Sequence, residues 1–137
     1  MPLRNAIKYL ILTVLAVVIA HEATAQYYSW GADPLGLKWM KGSTPNVKVI
    51  YPKSASQIGH TTLYYADRLN PYISYGYTLP ALNLPFVVHP ENMKSNGLVM
   101  WLPKRVEFLS SPSIDGYSMP WLKQLVAHEY RHAAQYN

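Results

Sequence analysis

The chain contains no cysteine. That absence excludes disulfides, cysteine-ligated metal centres, a thiol nucleophile and a lipid-modified N-terminal cysteine, so a metal would have to be held by histidine and carboxylate. Acidic residues are also few, seven against twelve Lys and Arg, for a formal net charge of +5. The positive charge is scattered, with no basic stripe interleaved with aromatics, which argues against a nucleic-acid partner. No apolar run reaches the roughly twenty residues that a bilayer-spanning helix needs. The sequence has no internal repeat and no low-complexity tract.

What is there begins with a targeting segment. Arg4 and Lys8 supply a positive start, Leu10 to Ala20 is apolar or small apart from Thr13, and Ala23-Thr24-Ala25 forms an A-x-A signal. These features predict a signal peptide over residues 1–25, cleavage between Ala25 and Gln26, and an exported remainder, residues 26–137, without a stable membrane anchor. Twelve tyrosines and four tryptophans are many for this length, and eleven prolines divide the chain into short elements. Such aromatic density suits an exposed face for carbohydrate or protein; it equally suits the cover of a small β-rich core, since Tyr and Trp pack an apolar body with a polar tip outward.

Past a loop-like lead from Gln26 to Gly42, with a turn at Gly31-Ala32-Asp33-Pro34, Asn46 to Tyr51 alternates between Pro45 and Pro52 and reads as a strand. Ser54 is placed to cap a helix from Ala55 to about Asn70, with Ile58, Thr62, Tyr65, Ala66 and Leu69 inward and Pro71 ending or kinking it. Phe86 to His89, Gly97 to Trp101 and Arg105 to Leu109 read as further strands. His60 reads as a surface residue, and His89-Pro90-Glu91 as a strand end and turn. Ser110 to Gly116 is a loop leading into a last helix, Pro120 to about Tyr136, with Ser118 or Met119 as N-cap. On it Trp121, Leu122, Leu125, Val126, Ala133 and Tyr136 make an apolar stripe. The order predicts an α+β fold with one small sheet backed by these two helices.

The last helix carries His128-Glu129-Tyr130-Arg131-His132, an H-E-x-x-H spacing. Residues four apart share a helix face, so His128 and His132 can direct two imidazole nitrogens at one Zn2+ ion. Glu129 then sits beside the metal, where its carboxylate can take a proton from a water that the ion acidifies. That chemistry is peptide-bond hydrolysis. The upstream carboxylates Asp33, Asp67, Glu91, Glu107 and Asp115 have no ligand-like spacing.

Strand, helix, short strands and then an H-E-x-x-H helix resemble the N-terminal half of the zincin fold, in its gluzincin or peptidase MA-like group. The resemblance implies that the strand before the motif helix is a sheet edge that pairs with extended substrate; Gly97-Leu98-Val99-Met100-Trp101, or the following Arg105 to Leu109, is the candidate. Tyr28-Ser29-Trp30-Gly31-Ala32-Asp33-Pro34, Val49-Ile50-Tyr51-Pro52, Ser95-Asn96-Gly97 and the motif itself are similar to the start of large exported proteins of Gram-negative bacteria. There a gluzincin-like domain precedes a Tol-type β-propeller. The likeness implies a periplasmic or cell-envelope location, a peptide or protein substrate, and further C-terminal domains. Gluzincins take their third zinc ligand from a Glu on a later helix, which predicts that residues 26–137 are an incomplete, inactive fragment of a zinc peptidase domain. The alternative expectation is a non-catalytic interaction domain of a larger envelope protein.

Overall fold

In this computed structural model the described residues are 5, 7–15, 33–92, 94–111 and 120–136. Among them five strands form one mixed sheet: β1 (Trp39–Ser43), β2 (Lys48–Pro52), β3 (Pro85–His89), β4 (Ser95–Trp101) and β5 (Lys104–Ser110), in the order β1-β2-β3-β5-β4. β2, β3 and β5 run parallel, and the outer strands β1 and β4 are antiparallel to their neighbours. The α+β expectation therefore holds. β1 is a strand where the sequence reads as a loop, because Met40, Lys41, Gly42 and Ser43 lack the alternation of a half-buried strand and are held by pairing with β2.

Two helices pack on one face of the sheet. Helix α1 (Ser56–Ile73) follows a 3-10 turn, Lys53–Ala55, and helix α2 is Trp121–Gln135. Register shows why they share a face: Val49 pairs with Phe86, Phe86 with Val106, and Val99 with Val106, so these side chains point the same way. They meet Ala66 and Ile73 from α1 and Val126, Tyr130 and Ala133 from α2 in one apolar core. Phe86 stacks on Phe108 and takes the edge of Tyr130. Arg131 ties the helices together, its Nη1 donating to the carbonyls of Ile73 and Tyr75 at 2.7 Å each.

Several local expectations change. Ala55, not Ser54, is the N-cap of α1, and no side chain caps it. Pro71 lies inside α1 rather than ending it; it is two residues from the end, where a missing N–H costs only one late bond. Pro120 is itself the N-cap of α2, which removes Ser118 and Met119 from that role. On α2, Val126 and Ala133 are buried as expected, but Tyr136 is exposed just past the last turn, and Tyr130 takes the interior place instead.

Residues 7–15 are helical and exposed, and no helix among the described residues is long and apolar enough to cross a membrane. The A-x-A signal, the expected cut after Ala25, Tyr27, Tyr28, Trp30 and Asp115 lie outside the described residues.

Candidate metal centre and substrate edge

The helix period puts His128 and His132 one above the other on the solvent side of α2, and their Nε2 atoms approach to 3.1 Å. Two nitrogen ligands each about 2.0 to 2.1 Å from a tetrahedral zinc stand roughly 3.3 Å apart, so the pair is already spaced as a ligand pair. His132 Nδ1 meets the Gln135 side-chain oxygen at 2.7 Å. As the donor in that bond, Nδ1 keeps the proton and leaves the Nε2 lone pair outward, the role an outer partner plays for a ligating histidine. The donor set thus fits a zinc ion. Among the described residues no group of three or more His, Asp or Glu converges on one point, so a third protein ligand does not come from them.

Glu129 is turned the other way, toward the sheet, and only 5% exposed. Its Oε1 is 4.0 Å from His128 Nε2, close enough to act on a group held at the histidines and too far to be their hydrogen-bond partner. Burial raises its carboxyl above the ordinary carboxylate value, while His128 and His132 pull it down. The next residue, Tyr130, is a structural neighbour: its buried hydroxyl accepts from the Asn70 side-chain amide, and burial pushes the phenol up.

Above Glu129 runs β4. Of the two candidates for the sheet edge, Gly97 to Trp101 occupies it and Arg105 to Leu109 does not, because β5 is enclosed between β3 and β4. Among the described residues nothing pairs with the outer side of β4. Gly97 faces the helix, and a Cβ there would come 2.3 Å from Glu129 Cγ and 2.6 Å from its Oε1. Only hydrogen fits between strand and carboxylate. Asn96, Gly97, Leu98 and Val99 then form one wall of an open cavity of about 250 Å³ whose other wall is His128, Glu129, His132 and Tyr136. Trp121 Nε1 donates to Ser95 Oγ at 2.6 Å, which holds the first end of β4 to α2.

The structure brings Gly97, Leu98 and Val99 to this cavity; Met100, further along β4 in register with Arg105, does not line it, and Trp101 stands beyond it against Tyr136. Asn96 and Tyr136 are wall residues that sequence reasoning missed. For Asn96 the neighbouring Gly97 was a usable signal, whereas Tyr136 read as part of the buried stripe.

A second polar cluster lies on the far face of the sheet. His89 Nδ1 is 2.7 Å from Asp33 Oδ2, and its Nε2 is buried 3.8 Å from Glu107 Oε2 without a hydrogen bond. Arg105 Nε donates to Glu107 Oε1, and Arg105 Nη1 to the Pro103 carbonyl at 2.9 Å. Burial pushes the Glu107 carboxyl up to about 7. His89 does end its strand as expected, but it is a buried link between Asp33 and Glu107 rather than a turn residue; the three come from segments with no common local pattern. His60 is exposed as expected, with Nε2 2.9 Å from the Tyr51 hydroxyl.

No family model, curated protein or solved structure matches the chain.

Proposed function

We propose that the chain carries the zinc-binding and proton-transfer part of a gluzincin-like metallopeptidase, in a zincin-like arrangement, within an exported protein of the periplasm or cell envelope. One observation supports this reading above the others: a pair of histidine Nε2 atoms 3.1 Å apart, a buried carboxylate beside them, and an open strand edge all meet at one cavity. A surface histidine pair on an ordinary helix has no need of the last two.

His128 and His132 would hold zinc, which supplies a Lewis acid for the peptide carbonyl and acidifies the attacking water. Glu129 accepts the water's proton and later passes it to the leaving amine. Burial favours its protonated form and the two histidines its charged form, the two states between which such a proton carrier moves. The outer edge of β4, which no described strand pairs, holds an extended peptide by strand addition, with the Gly97 N–H released from its 2.9 Å bond to Asn96 Oδ1, and this places the scissile bond over Gly97 and Glu129. A third ligand would come from outside the described residues, and the two histidines alone hold zinc more weakly than a three-ligand site.

The test is a pair of substitutions in the exported protein purified from the cells that make it. Glu129→Gln retains zinc and lowers peptide hydrolysis by roughly 10² to 10⁴-fold, whereas His128→Ala or His132→Ala loses the metal and the activity together. Undiminished cleavage by Glu129→Gln, or no cleavage by zinc-replete wild type across a broad peptide library, would overturn the peptidase reading. The rival reading, a non-catalytic interaction domain, draws support from a groove of about 500 Å³ along α1, where Tyr64, Tyr72, Arg68 and Lys123 are among the lining residues and both tyrosine rings stand largely exposed. That groove is remote from Glu129 in function, so substitutions in it separate the two readings.

A further inference from the structure

Side chains alternate along β4, and Gly97, Val99 and Trp101 all face α2. Gly97 meets Glu129, Val99 packs on the core, and Trp101 meets Tyr136 with ring centroids 5.7 Å apart at a tilt of 52°. Both rings nevertheless stay half open, Trp101 at 52% and Tyr136 at 51% exposure. Lys104 Nζ stands 4.2 Å from the Trp101 ring centroid and steadies it as a cation on an aromatic face. Tyr136 also lines the cavity of His128, Glu129 and His132. An aromatic ledge therefore continues the cavity along the open edge of β4.

We propose that Trp101 and Tyr136 form a specificity subsite for a large apolar or aromatic side chain of a peptide added to β4. The proposal rests on the peptide-binding reading of this same site. An antiparallel addition is the more stable pairing, and residues directly opposite one another point to the same face. The peptide residue opposite Gly97 points at Glu129 and the histidines, and the residue opposite Trp101 points at the ledge. These partners lie about four residues apart, and because the peptide runs against β4, the recognised side chain is on the N-terminal side of the cleaved bond. The subsite thus reads residues far from the chemistry, where binding contributes to KM rather than to kcat.

Calorimetric titration of the Glu129→Gln protein with ten-residue peptides separates this proposal from the peptidase reading, since it needs no turnover. Peptides carrying Phe or Trp at one position should bind about tenfold more tightly than their Ala counterparts. Trp101→Ala and Tyr136→Ala should each erase most of that difference, and Tyr75→Ala, exposed just past α1 and outside both cavities, should leave it intact. Both target residues are half exposed, so the variants are expected to fold, which far-ultraviolet circular dichroism checks. Equal binding of Phe and Ala peptides by the parent protein, or a preference that survives both substitutions, overturns the subsite. In zinc-replete wild type, a library profile with the preference N-terminal to the cleaved bond supports it; cleavage with a flat profile there overturns the subsite and leaves the peptidase reading standing. Selective binding without any cleavage keeps the subsite and removes the peptidase.

Discussion

Among the described residues helix and sheet press together over a bare glycine in two places, and the two differ in which element carries the glycine and what presses against it. At Gly59 the glycine is on helix α1, and an added Cβ would come 2.2 to 2.7 Å from the Tyr51 ring. At Gly97 the glycine is on strand β4, and the intruding group is the Glu129 side chain. Tyr51 is wedged, buried in the core with its hydroxyl on His60, so its ring has nowhere to turn. Glu129 is a flexible chain beside an open cavity. The same close approach thus serves packing at one site and aims a carboxylate at the other, and substitution should separate stability from chemistry.

The largest effect is expected at Gly97. In Gly97→Ala the methyl forces the Glu129 carboxylate aside, and on the proposed peptidase reading a displacement near 1 Å should cost on the order of 10²-fold in kcat for peptide hydrolysis while leaving zinc binding by the histidines unchanged. Steady-state kinetics with metal analysis checks it; wild-type turnover in this variant would detach Gly97 from the aim of Glu129. Next comes Gly59→Ala, which should destabilise the fold by about 1 to 3 kcal/mol through overpacking, read as a lower midpoint in urea unfolding. The comparison sharpens if Gly97→Ala loses clearly less stability than Gly59→Ala, because a carboxylate can rotate where a wedged ring cannot. Equal losses would break it.

The smallest effect concerns the far face, where Glu107 is 2% exposed beside Arg105 and His89. Its folded-state value of about 7 lies above the ordinary 4.5, so between these values the folded protein binds more protons than the unfolded one. The cost of burying the charge is therefore relieved in acid, and this part of the stability is lost as pH rises through about 7. Thermal melts should show a midpoint falling by a few degrees from about pH 5 to pH 8, and Glu107→Gln should flatten that slope. An unchanged slope in the variant would assign the pH dependence to other groups, Glu129 first among them.

The sequence by itself determined what short-range geometry decides. A four-residue spacing on a helix puts His128 and His132 on one face wherever the helix packs, alternation beside proline marks β2 and β5, and a short apolar run closed by Pro90 marks β3. It could not decide which strand would be the edge, since neither the apolar run Gly97 to Trp101 nor the charged–apolar alternation of Arg105 to Leu109 says which neighbour each strand takes. Only tertiary structure made that choice, when β5 paired with β3 and left β4 outside. The same holds for Gly97 over Glu129, Trp101 against Tyr136, and Asp33 joined to His89 and Glu107. Each joins residues far apart in the chain, and such pairings depend on loop closure and long-range strand order, which leave no mark within a few residues of either partner.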